Sequence, residues 1–166
     1  QKEKIQNMRE KYGDLAVVCY INSTAELKEL SDVCVTSSNA VKIVKALPSK
    51  NIFFIPDGNL GRFVAQQVPE KNIILNDGYC PVHAKMTAAA VREAREQHPQ
   101  AEVLSHPECT EEVLELSDYI GSTSGIIDYA GKSSGKEFIV CTETGVFYEL
   151  VKNNPGKSFY PVMEHQ

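Results

Sequence analysis

Cys80 lies in the segment Asn76-Asp77-Gly78-Tyr79-Cys80-Pro81-Val82-His83, a polar, turn-rich loop that can present a thiolate to a metal ion. The other cysteines, Cys19, Cys34, Cys109 and Cys141, fall in apolar runs or at a helix start and read as small buried residues. The Cys80/His83 spacing is weak evidence by itself. A zinc site needs four ligands, and the chain holds no second Cys/His pair at a suitable distance. A second constellation is His106-Pro107-Glu108, an imidazole and a carboxylate at the end of the apolar run Glu102 to Ser105. It stands 86 positions after Tyr20-Ile21-Asn22, so Tyr20 is opposite His106 and Asn22 opposite Glu108. A phenol, an amide, an imidazole and a carboxylate are the groups needed to bind a small polar acid and move protons on and off it. Hydroxyl clusters, Thr36-Ser37-Ser38 and Ser122-Thr123-Ser124, form a third feature. Each opens a predicted helix, where N-capping is the ordinary role and an anion site the functional one.

The elements that position these residues come in two copies. Ser31-Asp32 recurs as Ser117-Asp118, Ser37 and Ser38 stand opposite Thr123 and Ser124, and Pro69 opposite Pro155, all at 86. Between them the match slips: Phe53-Phe54-Ile55 pairs with Phe138-Ile139-Val140 at 85, and Gly61-Arg62-Phe63 with Gly145-Val146-Phe147 at 84. The first copy reads as strand Ala16 to Ile21, helix Thr24 to Leu30 and strand Val33 to Val35. A helix Ser38 to Ala46 capped by Thr36 or Ser37 follows, then strand Ile52 to Ile55, helix Leu60 to Gln67 and strand Asn72 to Leu75. Short apolar strands alternating with short helices predict parallel sheets covered on both faces. The expected fold is α/β, two pseudo-repeated three-layer α/β/α sandwiches with small parallel sheets. The first repeat is expected over residues 1–82, with a leading helix Lys2 to Lys11. The second is expected over 83–166, opening on a helix Lys85 to Gln97 and joined through the loop Asn76 to His83.

At 166 residues and 42% apolar composition the chain can bury one good core or two small ones. A net charge of -5 without a basic stripe argues against a nucleic-acid partner or an acidic membrane surface. No apolar run reaches the length of a bilayer span, and an odd number of cysteines does not suit a secreted disulfide framework. A reducing cytoplasm is the expected compartment. Both ends look cut, at Gln1 and at Glu164-His165-Gln166, and the repeat places the counterpart of Cys80 at Gln166.

The segments Val18-Cys19-Tyr20-Ile21-Asn22-Ser23-Thr24-Ala25, Val35-Thr36-Ser37-Ser38-Asn39-Ala40, Pro56-Asp57-Gly58-Asn59-Leu60-Gly61-Arg62, the Cys80 loop, His106-Pro107-Glu108 and Gly121-Ser122-Thr123-Ser124 together resemble the iron-sulfur quinolinate synthases. That family has three pseudo-symmetric domains and a central four-iron, four-sulfur (4Fe-4S) cluster held by one cysteine from each. The resemblance covers the whole chain as an internal portion, two of the three domains. It implies condensation of iminoaspartate with dihydroxyacetone phosphate to quinolinate in de novo NAD biosynthesis, with an aspartate oxidase or dehydrogenase supplying the iminoaspartate. Carried over by position, Cys80 resembles the middle cluster ligand, with two further cysteine ligands expected outside this chain. Tyr20, His106 and Glu108 resemble catalytic residues. Tyr20, Ile21, Asn22, Ser37, His106, Pro107, Glu108 and Thr123 resemble the substrate-binding set. The expectation is that this chain alone is inactive. The alternatives are a cluster-free two-lobed module for a dicarboxylate or phosphorylated ligand, and a Cys80/His83 thiol or zinc enzyme.

Overall fold

A computed structural model describes residues 1–162. The chain divides into two compact units, Gln1–Tyr79 and Cys80–Gln166. In the first, helix α1 (Lys2–Lys11) precedes strand β1 (Leu15–Tyr20), α2 (Ala25–Glu29), β2 (Val33–Val35), α3 (Ala40–Ala46), β3 (Asn51–Ile55), α4 (Gly58–Gln67) and β4 (Asn72–Leu75). The strands form one parallel sheet in the order β2-β1-β3-β4. Alternate residues of β1 and β3 face opposite ways, as strand geometry requires. Ala16, Val18, Ile52 and Phe54 pack with Val44 of α3 and Leu60 and Val64 of α4. Val17, Cys19, Phe53 and Ile55 pack with Ile5 of α1 and Leu27 of α2.

The second unit repeats the plan. It comprises α5 (Pro81–Ala84), α6 (Ala88–Gln97), β5 (Glu102–Ser105), α7 (Glu111–Glu115), β6 (Tyr119–Ile120), α8 (Thr123–Lys132), β7 (Glu137–Cys141), α9 (Val146–Asn153) and β8 (Ser158–Pro161). Its parallel sheet runs β6-β5-β7-β8. Val103, Ile139 and Cys141 face α6 and α7, while Leu104, Phe138 and Val140 face α8 and α9. Each unit is therefore the three-layer α/β/α sandwich that the alternation of strands and helices implied. No helix among the described residues is long and apolar enough to cross a membrane.

The residues that repeat most faithfully are backbone clamps. Asp32 accepts the Val17 N–H at 2.7 Å and the Arg9 guanidinium at 3.0 Å; Asp118 accepts the Val103 N–H at 2.7 Å and Arg95 at 3.1 Å. Ser31 and Ser117 donate to the carbonyls of Leu27 and Val113. Lys71 donates to the carbonyls of Leu47 and Ser49, and Lys157 to those of Ala130 and Ser133. Removing the Asp118 carboxylate leaves a strand-end amide short of its acceptor. Asp118→Ala is expected to lower stability by ~1–3 kcal/mol, with Asp118→Asn closer to wild type because its amide oxygen still accepts. Urea unfolding midpoints measure the difference.

Several expected boundaries shift. The first hydroxyl cluster does not cap a helix: residues 37–39 form a turn and α3 starts at Ala40, with Asn39 at the N-cap and its Oδ1 accepting the Thr36 N–H at 2.7 Å. The helix expected from Lys85 starts instead at Ala88, because the Thr87 side chain accepts the Ala90 N–H and sets the start there. Cys80 is not in a plain turn but at the N-cap of α5, with Pro81 as its first helical residue. The slips to 85 and 84 are coincidences of composition. Strand β3 pairs with β1 through Cys19↔Ile55, β7 with β5 through Ser105↔Cys141, so the spacing of 86 persists. The last turns of α4 and α9 keep it too, at Val68 and Asn154; α9 simply starts later in its copy. Gln166, the counterpart of Cys80, lies outside the described residues.

Candidate functional site

The second unit gathers its reactive side chains from three places. Strand β5 ends at Ser105 and delivers His106, Pro107 and Glu108 before Thr110 starts α7. Strand β7 ends at Cys141 and delivers Thr142. The single turn α5 supplies Cys80 and His83, three residues apart and therefore on one helix face. Carboxyl ends of parallel strands are where open α/β sheets place ligands.

Glu108 is the hub. Its Oε2 lies 2.9 Å from His83 Nδ1 and 3.6 Å from His106 Nδ1. His83 Nδ1 is also 3.3 Å from Cys80 Sγ, and His83 Nε2 is 3.1 Å from Thr142 Oγ1. The rings of His83 and His106 stack with centroids 4.7 Å apart. His106, Glu108 and His83 are 3%, 4% and 6% exposed, so the three side chains form a buried network rather than a surface cluster.

The network fixes where protons sit. The Glu108 backbone N–H donates to His106 Nδ1 at 3.1 Å, so the neutral His106 ring carries its proton on Nε2. The Glu108 carboxylate lies within hydrogen-bond distance of His83 Nδ1, and the Thr142 hydroxyl within that of His83 Nε2. Burial, reinforced by His83 and only partly opposed by Glu108, pushes His106 down to about 4. It is a neutral hydrogen-bond donor at physiological pH.

That depression makes stability pH-dependent. The unfolded imidazole takes up a proton near its ordinary value of about 6.5 while the folded one does not. The unfolded state therefore binds more protons between the two values, and stability falls as pH drops through that window. A loss of about 2 kcal/mol between about pH 7 and about pH 5 is expected. Urea midpoints at the two pH values measure it, and His106→Gln, which cannot titrate there, should show a correspondingly smaller drop.

The remaining thiols of this unit are of a different kind. Cys109 and Cys141 are fully buried; burial drives the Cys109 thiol far up, and Cys141 up to about 11. Neither is suited to act as a thiolate. Cys80, Glu108 and His83 offer sulfur, oxygen and nitrogen atoms all within 4.8 Å of one another. Thr123 is the first residue of α8, behind the Ser122 cap whose oxygen accepts the Gly125 N–H at 3.2 Å.

In the first unit, Tyr20 closes β1, and the Ile21 N–H donates to the Val35 carbonyl at 2.7 Å. Tyr20 is buried in the sheet core, whereas Ile21 and Asn22 are exposed. Ser37 lies half-buried in the turn beyond β2. Because Tyr20 pairs with Val35, these residues share the carboxyl edge of adjacent strands.

Of the second-unit network, sequence reasoning weighed His83 only as a weak metal partner of Cys80 and missed Thr142. The helical spacing of Cys80 and His83 was a signal. The carboxyl end of β7 was the other, since strand-end logic applies to Thr142 as it does to His106.

Residues 1–166 match the family model for quinolinate synthetase A protein, and the chain belongs to that family. It is 57% identical over 158 residues to quinolinate synthase of Fusobacterium nucleatum, covering 95% of this chain and 53% of the relative. It is 54% identical to quinolinate synthase of Caldicellulosiruptor saccharolyticus, covering 96% and 52%, and 50% identical to that of Clostridioides difficile, with the same coverages. The chain spans about half the length of the curated relatives it matches.

Proposed function

We propose that this chain supplies two domains of a quinolinate synthase, condensing iminoaspartate with dihydroxyacetone phosphate in the cytoplasm, with an aspartate oxidase or dehydrogenase as iminoaspartate supplier. The observation that carries the reading is the buried Glu108/His83/His106 network next to Cys80, in a chain of that family. Cys80 is the thiol whose setting suits a cluster ligand, since Cys109 and Cys141 are buried with raised values. One thiol does not complete a 4Fe-4S site, and two further cysteines from beyond this chain would complete it. When bound, such a cluster would supply Lewis-acid chemistry toward a substrate oxygen.

The chain's own residues do the rest. Glu108, oriented by the His83 N–H, accepts a proton from the substrate. His106, neutral and protonated on Nε2, donates a hydrogen bond to developing negative charge rather than acting as an imidazolium acid. Tyr20, Asn22, Ser37 and Thr123 offer hydroxyl and amide donors to carboxylate and phosphate oxygens, with Ile21 and Pro107 shaping the adjoining backbone. The test is direct chromatographic detection of quinolinate after anaerobic incubation of the complete polypeptide with both substrates. Absence of product from correctly folded, iron-replete protein would overturn the assignment.

A further inference from the structure

We propose that Cys80, His83 and Glu108 form a mononuclear site for a borderline-soft divalent cation of the Zn2+ class. This is a state of the protein distinct from the cluster-bound one, and it uses the same thiolate. The sequence shows only the Cys80/His83 pair, which is too little for zinc. The fold adds the third ligand from the end of β5.

All three donors lie within 4.8 Å of one another, so one small ion can draw them together. Cys80 Sγ and His83 Nδ1 are 3.3 Å apart, and His83 Nδ1 and Glu108 Oε2 2.9 Å. Ligands around tetrahedral zinc, with bonds of about 2.0–2.3 Å, stand roughly 3.3–3.7 Å from each other. The sulfur pair already has that spacing. The nitrogen–oxygen pair must open by roughly half an ångström, the change expected when an ion replaces the proton now shared between those atoms.

Charge and softness agree. A thiolate and a carboxylate neutralise a dication, and a mixed sulfur, nitrogen and oxygen set selects Zn2+ or Co2+ over Mg2+ or Ca2+. The surroundings accommodate the proton changes. Binding requires the Cys80 sulfur as thiolate and a lone pair on His83 Nδ1, so a proton on either atom leaves and the bound neutral ring carries its proton on Nε2. Nε2 then donates to Thr142 Oγ1, already 3.1 Å away. Three protein ligands leave the fourth position open to water or a carboxylate.

The site stands on these donors whether or not the synthase reading holds. Competition with cluster assembly is the consequence that rests on that reading. The experiment is anaerobic titration of the cluster-free complete chain with Co2+ alone, followed by absorbance. One Co2+ per chain is expected, with a thiolate-to-cobalt charge-transfer band and intense tetrahedral visible bands. Cys80→Ser should abolish the charge-transfer band. His83→Ala and Glu108→Gln should each weaken binding at least tenfold, and Thr142→Val ~10-fold through the ligand it orients. Circular dichroism checks folding, and the near-isosteric Glu108→Gln keeps the test valid if His83→Ala fails to fold. Binding without the charge-transfer band, or titration of Glu108→Gln indistinguishable from wild type, would overturn the proposal. Because no substrate or turnover enters, failure here is separable from failure of the synthase assignment.

Discussion

Replacing Cys80 with serine is expected to abolish cluster absorption and quinolinate formation together, with little change in stability. The physical ground is the position of Cys80 at the N-cap of α5, ahead of Pro81, where its side chain makes no cap hydrogen bond. Serine is among the preferred N-cap residues, so the fold should keep its stability within about 0.5 kcal/mol. What serine cannot replace is a soft thiolate ligand. Iron analysis, absorbance and turnover of the variant beside wild type make the measurement. Unchanged turnover in the serine variant would contradict the cluster-ligand role of Cys80, whereas wild type without turnover, and ligand binding that survives Cys80→Ser, would favour the cluster-free binding module.

Glu108→Gln carries the second large expected effect, a fall in kcat of ~10²–10⁴-fold. The substitution preserves size, and its amide oxygen still accepts from His83 Nδ1, which sits 2.9 Å from the carboxylate in the native chain. The buried ring therefore keeps a partner and the unit stays folded. The basic oxygen is lost. Steady-state kinetics should show kcat falling while KM moves little, since a proton acceptor acts in the transition state rather than in binding. A loss under about tenfold would remove Glu108 from the proton-transfer role.

The strands were legible because each is a short, nearly continuous apolar run, the signature of a parallel sheet buried on both faces. Ile52 to Ile55 and Phe138 to Cys141 could hardly be anything else. The duplication was legible through Ser31-Asp32 and Ser117-Asp118, though the reason for their persistence was not. That Asp32 and Asp118 hold the amides of Val17 and Val103 is a tertiary fact, fifteen residues removed in sequence. The start of α3 was misplaced because Thr36, Ser37 and Asn39 are all good caps, and propensity does not rank them. The turn α5 was missed because four residues carry no periodicity.

The site divides in the same way. His106 and Glu108 stand out because the repeat sets them opposite Tyr20 and Asn22 at a strand end. The pairing of Glu108 with His83, and of His83 with Thr142, spans 25 and 59 residues, and only the folded unit creates it. No local pattern encodes that a carboxylate from the end of β5 meets a histidine from α5. The low proton affinity of His106 is likewise a product of burial beside His83.

The central claim is that turnover depends on a cluster bound in part by Cys80. The most direct test is quinolinate formation by the complete polypeptide as its iron content is raised anaerobically from none to about four per chain. Turnover rising in proportion to iron, and absent at zero, is the predicted result. Quinolinate formed at full rate by iron-free protein would contradict the account.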